Sequence, residues 1–123
     1  MFDFERLDVY RKVRELNGVL LPIIFSKQND YPYIADQFKR ATLSVLLNLS
    51  EGTGRMSTAD KRRFYVMSRS SVFECVSILQ TIYDLSLISQ TDYDKIYSEY
   101  ENISKMLLGL IRGLKEQLTP SSS

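Results

Sequence analysis

The sequence predicts an all-α protein, an antiparallel up-and-down four-helix bundle, and three observations carry that prediction. Apolar residues recur three and four positions apart over four separate stretches, the spacing that lines one side of a helix. The stretches are joined by short polar connections, as antiparallel neighbours require. Glycine and proline are scarce, five and three in 123 residues, which favours long regular elements over loops. A chain of 123 residues holds one core and is short for two, so residues 1–123 are expected to form a single domain. A helical hairpin pair that completes its core by oligomerising is the structural alternative.

The first helix is expected over about residues 8–25. Asp8 can cap it, and Leu7 can supply half of a hydrophobic staple. Val9, Val13, Leu16, Leu20 and Ile23 then share a face. Pro22 is awkward near the end, because it cannot donate a helix-interior hydrogen bond. Phe2 and Phe4 are expected to fold back over one end of the core.

Ser26 to Pro32 reads as a connection, and a second helix follows over about residues 33–51. Ile34, Phe38, Ala41, Val45, Leu46 and Leu49 form its main apolar face, while Leu43 and Leu47 form a second line. A helix apolar on more than one side wants more than one neighbour, or a subunit partner. Gly52-Thr53-Gly54 ends it, with Gly52 in the C-cap role.

The third helix is expected over about residues 58–87, with Ser57 as N-cap and Asp60 three positions on. Phe64, Met67, Ser71, Cys75, Ile78, Ile82 and Leu85 trace its core-facing line. Ser68, Ser70 and Ser71 leave room for close helix approach, and Tyr65, Val66, Phe73 and Val76 broaden the apolar surface. After the tight link Ile88-Ser89-Gln90, the fourth helix spans about residues 90–118. Tyr93, Ile96, Tyr100, Ile103, Leu107, Leu110 and Leu114 alternate three and four apart, a heptad seam. Met106, Ile111 and Leu118 widen it, and Thr119 to Ser123 reads as a frayed tail.

Composition excludes several function classes. There is no histidine, which removes the commonest general base and metal ligand. The single Cys75 allows neither an internal disulfide nor a thiolate metal cluster, and its apolar setting predicts a buried, inert thiol. Glu-x-x-His pairs for a di-metal bundle are absent, and Gly52-Thr53-Gly54-Arg55 follows a helix rather than a strand, which argues against a phosphate loop. No enzyme activity, cofactor or metal is expected. Early acids, Asp3 and Glu5, argue against a signal peptide, and no run approaches the roughly 18 apolar residues of a membrane span, so a cytoplasmic, non-membrane protein is expected.

The net charge of +1 hides an uneven distribution. Arg55, Lys61, Arg62, Arg63 and Arg69 face one acid, Asp60, in their stretch, whereas Asp84, Asp92, Asp94, Glu99 and Glu101 face one base, Lys95. The basic run can contact phosphates, or it can be a simple solvated face; in a structural or protein-interaction module it would instead pair with acids of the fourth helix of a neighbouring subunit. The second helix also carries a polar stripe, Arg40, Ser44, Asn48 and Glu51, spaced four, four and three. It reads either as an interhelical network in which Arg40 pairs with Glu74, or as a recognition surface for nucleic acid or protein. Tyr10, Tyr31 and Tyr33 lie outside the core pattern and suit stacking or an interface.

From Gln37 to Arg55 the chain resembles the four-helix bundle family encoded by intervening sequences in 23S ribosomal RNA genes, often labelled S23 ribosomal protein. Arg40, Ala41, Ser44, Asn48, Glu51, Gly52, Gly54 and Arg55 match the family core, in which Asn-x-x-Glu-Gly-x-Gly-Arg is the specific part. Ser57 and Phe64, Ser71-Val72-Phe73-Glu74 and Met106-Leu107-x-x-Leu110-Ile111 extend the likeness over nearly the whole chain. Phe38-Lys39 stands where the family has Leu-Arg, and Leu46-Leu47 where it has Ile-Pro. A related branch, the accessory proteins of diversity-generating retroelements, forms pentameric rings that bind nucleic acid and a reverse transcriptase. The resemblance therefore implies a homo-oligomer, in particular a homopentamer, with RNA, another nucleic acid or a protein as partner.

Overall fold

The computed structural model describes residues 1–118, with side chains described through Leu114. A 3-10 turn, Asp3–Arg6, precedes four helices: α1 Asp8–Ser26, α2 Pro32–Thr53, α3 Thr58–Asp84 and α4 Gln90–Leu118. Contacts run α1–α2, α2–α3, α3–α4 and α1–α4, the closed ring of an up-and-down bundle, and the α2–α3 packing is the most extensive. The expected packing of Leu118 lies beyond the described side chains, and the expected tail from Thr119 to Ser123 lies outside the described residues. No helix among the described residues is long and apolar enough to cross a membrane.

The core takes Val9, Val13, Leu16, Leu20 and Ile24 from α1, so Ile24 rather than the expected Ile23 holds the last inward position. α1 passes through Pro22 and continues to Ser26. Both Pro22 and Gly18, the residue four before it, are exposed, so water can serve the carbonyl that the proline leaves without a donor. Asp8 sits inside the first turn, paired with Arg11, and Leu7 occupies the cap position instead. Phe4 packs on Tyr10 with ring centroids 4.8 Å apart, and Phe2 stacks on Phe4 while remaining exposed.

α2 buries Ala35, Phe38, Ala41, Thr42, Val45, Leu49 and Gly52. Asn17 of α1 is buried against it and donates to the Thr42 carbonyl at 3.3 Å. Gly52 is a helical residue rather than a cap, and no described glycine has positive φ. Its role is proximity: a Cβ there would lie 2.9 Å from Phe64 Cβ and from the Tyr65 ring.

α3 begins on the expected cap, with Ser57 Oγ accepting from the Asp60 amide at 3.1 Å. Its inward line runs through Phe64, Tyr65, Ser68, Ser71, Val72, Cys75, Leu79 and Ile82, which displaces the expected Met67 and Ile78 outward. The small Ser68 wins that position because α2 passes close, and its hydroxyl donates to the Val45 carbonyl at 2.6 Å. The helix stops at Asp84, three residues before the expected Leu87. The Ser86 amide donates to the Tyr83 carbonyl and the Leu87 amide to the Ile82 carbonyl, both at 2.9 Å, while Ser86 adopts φ 60°. This is a Schellman ending with serine where glycine usually stands, and it leaves Leu85 half exposed outside the helix.

α4 opens with Ser89 Oγ accepting from the Asp92 amide at 3.1 Å. Ile96, Tyr100, Ile103 and Leu107 are buried as expected, but the next deeply buried position is Ile111, with Leu110 partly covered. A helix turns slightly less per heptad than a strict heptad seam requires, so over several turns the buried line drifts by one residue.

Candidate functional site

The polar stripe of α2 divides into a seam and an exposed edge. Ser44 Oγ lies 2.8 Å from Ser71 Oγ across the α2–α3 contact. Asn48 Nδ2 donates to both Ser44 Oγ and the Ser44 carbonyl at 2.9 Å. One turn further, Thr53 Oγ1 bridges the Leu49 carbonyl and the Tyr65 hydroxyl. Together with Ser68 on Val45, these hydroxyl contacts fix the register of α2 against α3 and satisfy groups that burial would otherwise penalise. In the sequence Ser71 is legible as a small residue on the core-facing line and Ser68 only as a small residue, and Thr53 carries no signal beyond its place in the turn.

The charged members stand apart. Arg40 and Glu74 are both exposed, and no ion pair joins them among the described side chains. The expected bridge is absent because both lie at the outer rim of the seam, where water solvates them and no buried charge demands a partner. Glu51 instead pairs with Arg55 at 3.0 Å on the surface, a contact worth little to stability.

The five basic residues separate into two groups. At the α2–α3 end, the Arg55 and Arg63 guanidinium groups lie 4.4 Å and 4.9 Å from the Phe64 ring centroid. Lys61 beside them turns its ammonium back to the Thr53 carbonyl at 2.6 Å and is thereby tied to the helix end. Arg62 and Arg69 point the other way, along the α3–α4 side. Arg69 stacks on Phe73 at 4.8 Å and donates from Nε to the Ser104 carbonyl at 3.3 Å. The Arg–Phe spacing of four on a helix is readable in the sequence; the contact to Ser104 is not.

The acidic side belongs to the start of α4, where Tyr83 stacks on Tyr93 with centroids 4.3 Å apart and Tyr97 packs tilted against Tyr93 at 5.8 Å. Inside the bundle, burial pushes the Cys75 thiol up to about 12 and raises the adjoining Tyr100 phenol well above its usual range. Cys75 is therefore a protonated core residue, not a nucleophile. Among the described residues no group of three or more carboxylate and thiol ligands could hold a metal ion.

A family model described as 23S rRNA-intervening sequence protein matches residues 5–109. Among solved structures, a protein with unknown function from the S23 ribosomal protein family of Bacteroides thetaiotaomicron superposes with a TM-score of 0.78. The two chains are 20% identical over 84% of this chain and 97% of that one, a likeness that concerns the fold. No curated protein matches the sequence.

Proposed function

The chain belongs to the 23S rRNA-intervening sequence protein family, and from that membership we propose that it is a non-enzymatic binding or assembly module whose partner is RNA or a ribonucleoprotein. The observation that carries the reading is the cationic end of the bundle. Arg55 and Arg63 flank Phe64 at the α2–α3 end, and Arg62 and Arg69 form a second cationic group on the α3–α4 side. Arginines held over an aromatic ring are oriented before a phosphate arrives, which lowers the entropic cost of binding. A cytoplasmic location is part of the same proposal and rests on the family membership.

The test is a salt titration of RNA binding. Affinity should fall steeply between about 50 and about 200 mM salt. Replacing Lys61, Arg62 and Arg63 together by Ala should lower the slope of log K against log salt by about 2 to 3. Absence of binding at low salt, or indifference to the triple replacement, would remove the nucleic-acid part.

A second reading, assembly of bundles, has its own support. Leu43 and Leu47, 43% and 57% exposed four residues apart on the outer side of α2, form an apolar pair that a neighbouring subunit would cover in an assembly. The homo-oligomer, and the pentamer in particular, comes from the resemblance to retroelement accessory proteins. In this reading the basic run of α3 meets the acids of α4 in a neighbour, for example Asp94 and Glu99, and a protein rather than RNA is the partner. Mass measurement in solution distinguishes a ring from a lone bundle.

A further inference from the structure

A groove of about 520 Å³ runs along the outer side of the α3–α4 seam, between Arg69, Phe73 and Ser77 on one wall and Tyr97, Ser104 and Lys105 on the other. A smaller adjoining cavity of about 200 Å³ shares Arg69 and Phe73 and reaches Arg62. We infer that this groove holds a short single-stranded RNA segment, with bases against Phe73 and Tyr97 and phosphates on Arg62, Arg69 and Lys105. The inference rests on the RNA reading above and names the place where the strand lies.

Three features point to a strand with bases. First, Phe73 is 53% exposed on the groove wall beside Arg69, and an exposed ring in a cationic setting is a stacking platform for any base. Second, the charge is one-sided: Arg62, Arg69 and Lys105 face the groove with one acid, Glu101. Arg69 is already immobilised by its Phe73 stack and its bond to Ser104, so its terminal nitrogens are set for a phosphate at little entropic cost. Third, hydroxyl groups of Ser70, Ser77 and Ser104 interrupt the lining. Val72, Val76 and Tyr100 give the groove an apolar floor, while the hydroxyls and the cations sit along its walls, a mixture less suited to a partner helix, which is held by apolar anchors three and four residues apart. The hydroxyls suit a strand, which offers polar edges between its stacked faces. A duplex keeps its bases paired inside and has nothing to place on Phe73.

The test uses fluorescence anisotropy of the full chain with a labelled oligouridylate of about 12 nucleotides, within the usual site size of a single-strand binder. Phe73→Ala should weaken binding about tenfold or more, and Phe73→Tyr should restore it. Arg69→Ala with Lys105→Ala should reduce the salt slope by about 1 to 2. Thermal melts of each variant show that the bundle is intact, and Phe73→Tyr keeps the aromatic even if Phe73→Ala is poorly folded. Binding that resists every groove change yet disappears on Arg55→Ala with Arg63→Ala overturns the groove and leaves the RNA reading standing. No binding of wild type at low salt overturns both. Duplex RNA bound as tightly as the single strand refutes the stacking geometry, and equal affinity for oligothymidylate refutes the commitment to RNA. A designed acidic amphipathic peptide that binds wild type but not Phe73→Ala, with oligouridylate indifferent to Phe73, would assign the groove to a protein helix instead.

Discussion

Gly52 and Tyr65 meet where α2 turns into α3, so closely that a Cβ on Gly52 would lie 2.9 Å from the Tyr65 ring. Phe64 Cβ stands at the same distance, and a Cβ is fixed by its backbone and cannot swing aside. Alanine at position 52 would gain about 0.5–1 kcal/mol of helix propensity. Forcing the methyl into this contact should cost about 1–3 kcal/mol. Gly52→Ala is therefore expected to be a net destabilisation, read as a lower urea midpoint with an unchanged m-value. A variant as stable as wild type would mean that α2 and α3 part easily here, and that the glycine of the family motif serves something other than packing.

Ser86 offers the opposite case. Its φ of 60° is left-handed, a conformation that costs a residue with a Cβ roughly 1–2 kcal/mol. The two Schellman bonds from Ser86 and Leu87 hold it there. Ser86→Gly relieves the strain and adds unfolded-state entropy worth about 0.4–1 kcal/mol against folding. The expected balance is a stabilisation of about 0.5–1 kcal/mol, seen as a rise in melting temperature. A drop would show that the serine side chain contributes more than its backbone strain removes.

These two positions mark the boundary of what the sequence makes legible. Periodicity locates all four helices, because burial of an apolar stripe is the largest force driving the chain to fold and leaves its spacing in the sequence. It places Met67 inward because methionine is more apolar than serine, yet the closeness of α2 gives the inward place to Ser68. A glycine at a helix end suggests a cap; the neighbour that requires it, Tyr65, is visible only in three dimensions. The site shows the same division. Five cations in one stretch are plain, but their sorting is not: Lys61 folds back on Thr53, Arg55 and Arg63 share Phe64, and Arg69 crosses to Ser104. The expected Arg40–Glu74 bridge does not form because apolar neighbours in sequence do not establish burial in space.

Cys75 and Tyr100 give the alkaline response its sign. Burial raises the Cys75 thiol from 9.0 to about 12, and Tyr100 moves in the same direction. A raised pKa means the folded state holds its proton more tightly than the unfolded chain. The resulting stability is complete below about pH 9 and is lost progressively as pH rises toward 12. Melting temperature should therefore decline above pH 9, and the decline should be shallower in Cys75→Ala, with Tyr100 supplying the remainder. At about pH 8, below the ordinary thiol range, a thiol-labelling reagent should modify Cys75 only as fast as the bundle opens. Fast labelling of the native protein would contradict a sealed core.

The outer face of α2 tests the proposed assembly. Leu43 and Leu47 are four residues apart on one helix, so they form a contiguous patch on a surface no other described helix covers. Inside a subunit interface each leucine contributes about 1.5–3 kcal/mol when fully buried, and a carboxylate in its place would be buried unpaired. Leu47→Glu should then shift the solution mass from the oligomer to the single 14.3 kDa chain, with the helical signal retained. In a protein that works as a lone bundle the same change would leave mass untouched and raise solubility alone. The substitution also separates the two faces: Leu47 lies on α2 and the Arg69–Phe73 groove on the α3–α4 side, so loss of assembly with full single-strand binding would show that one bundle suffices to hold the strand.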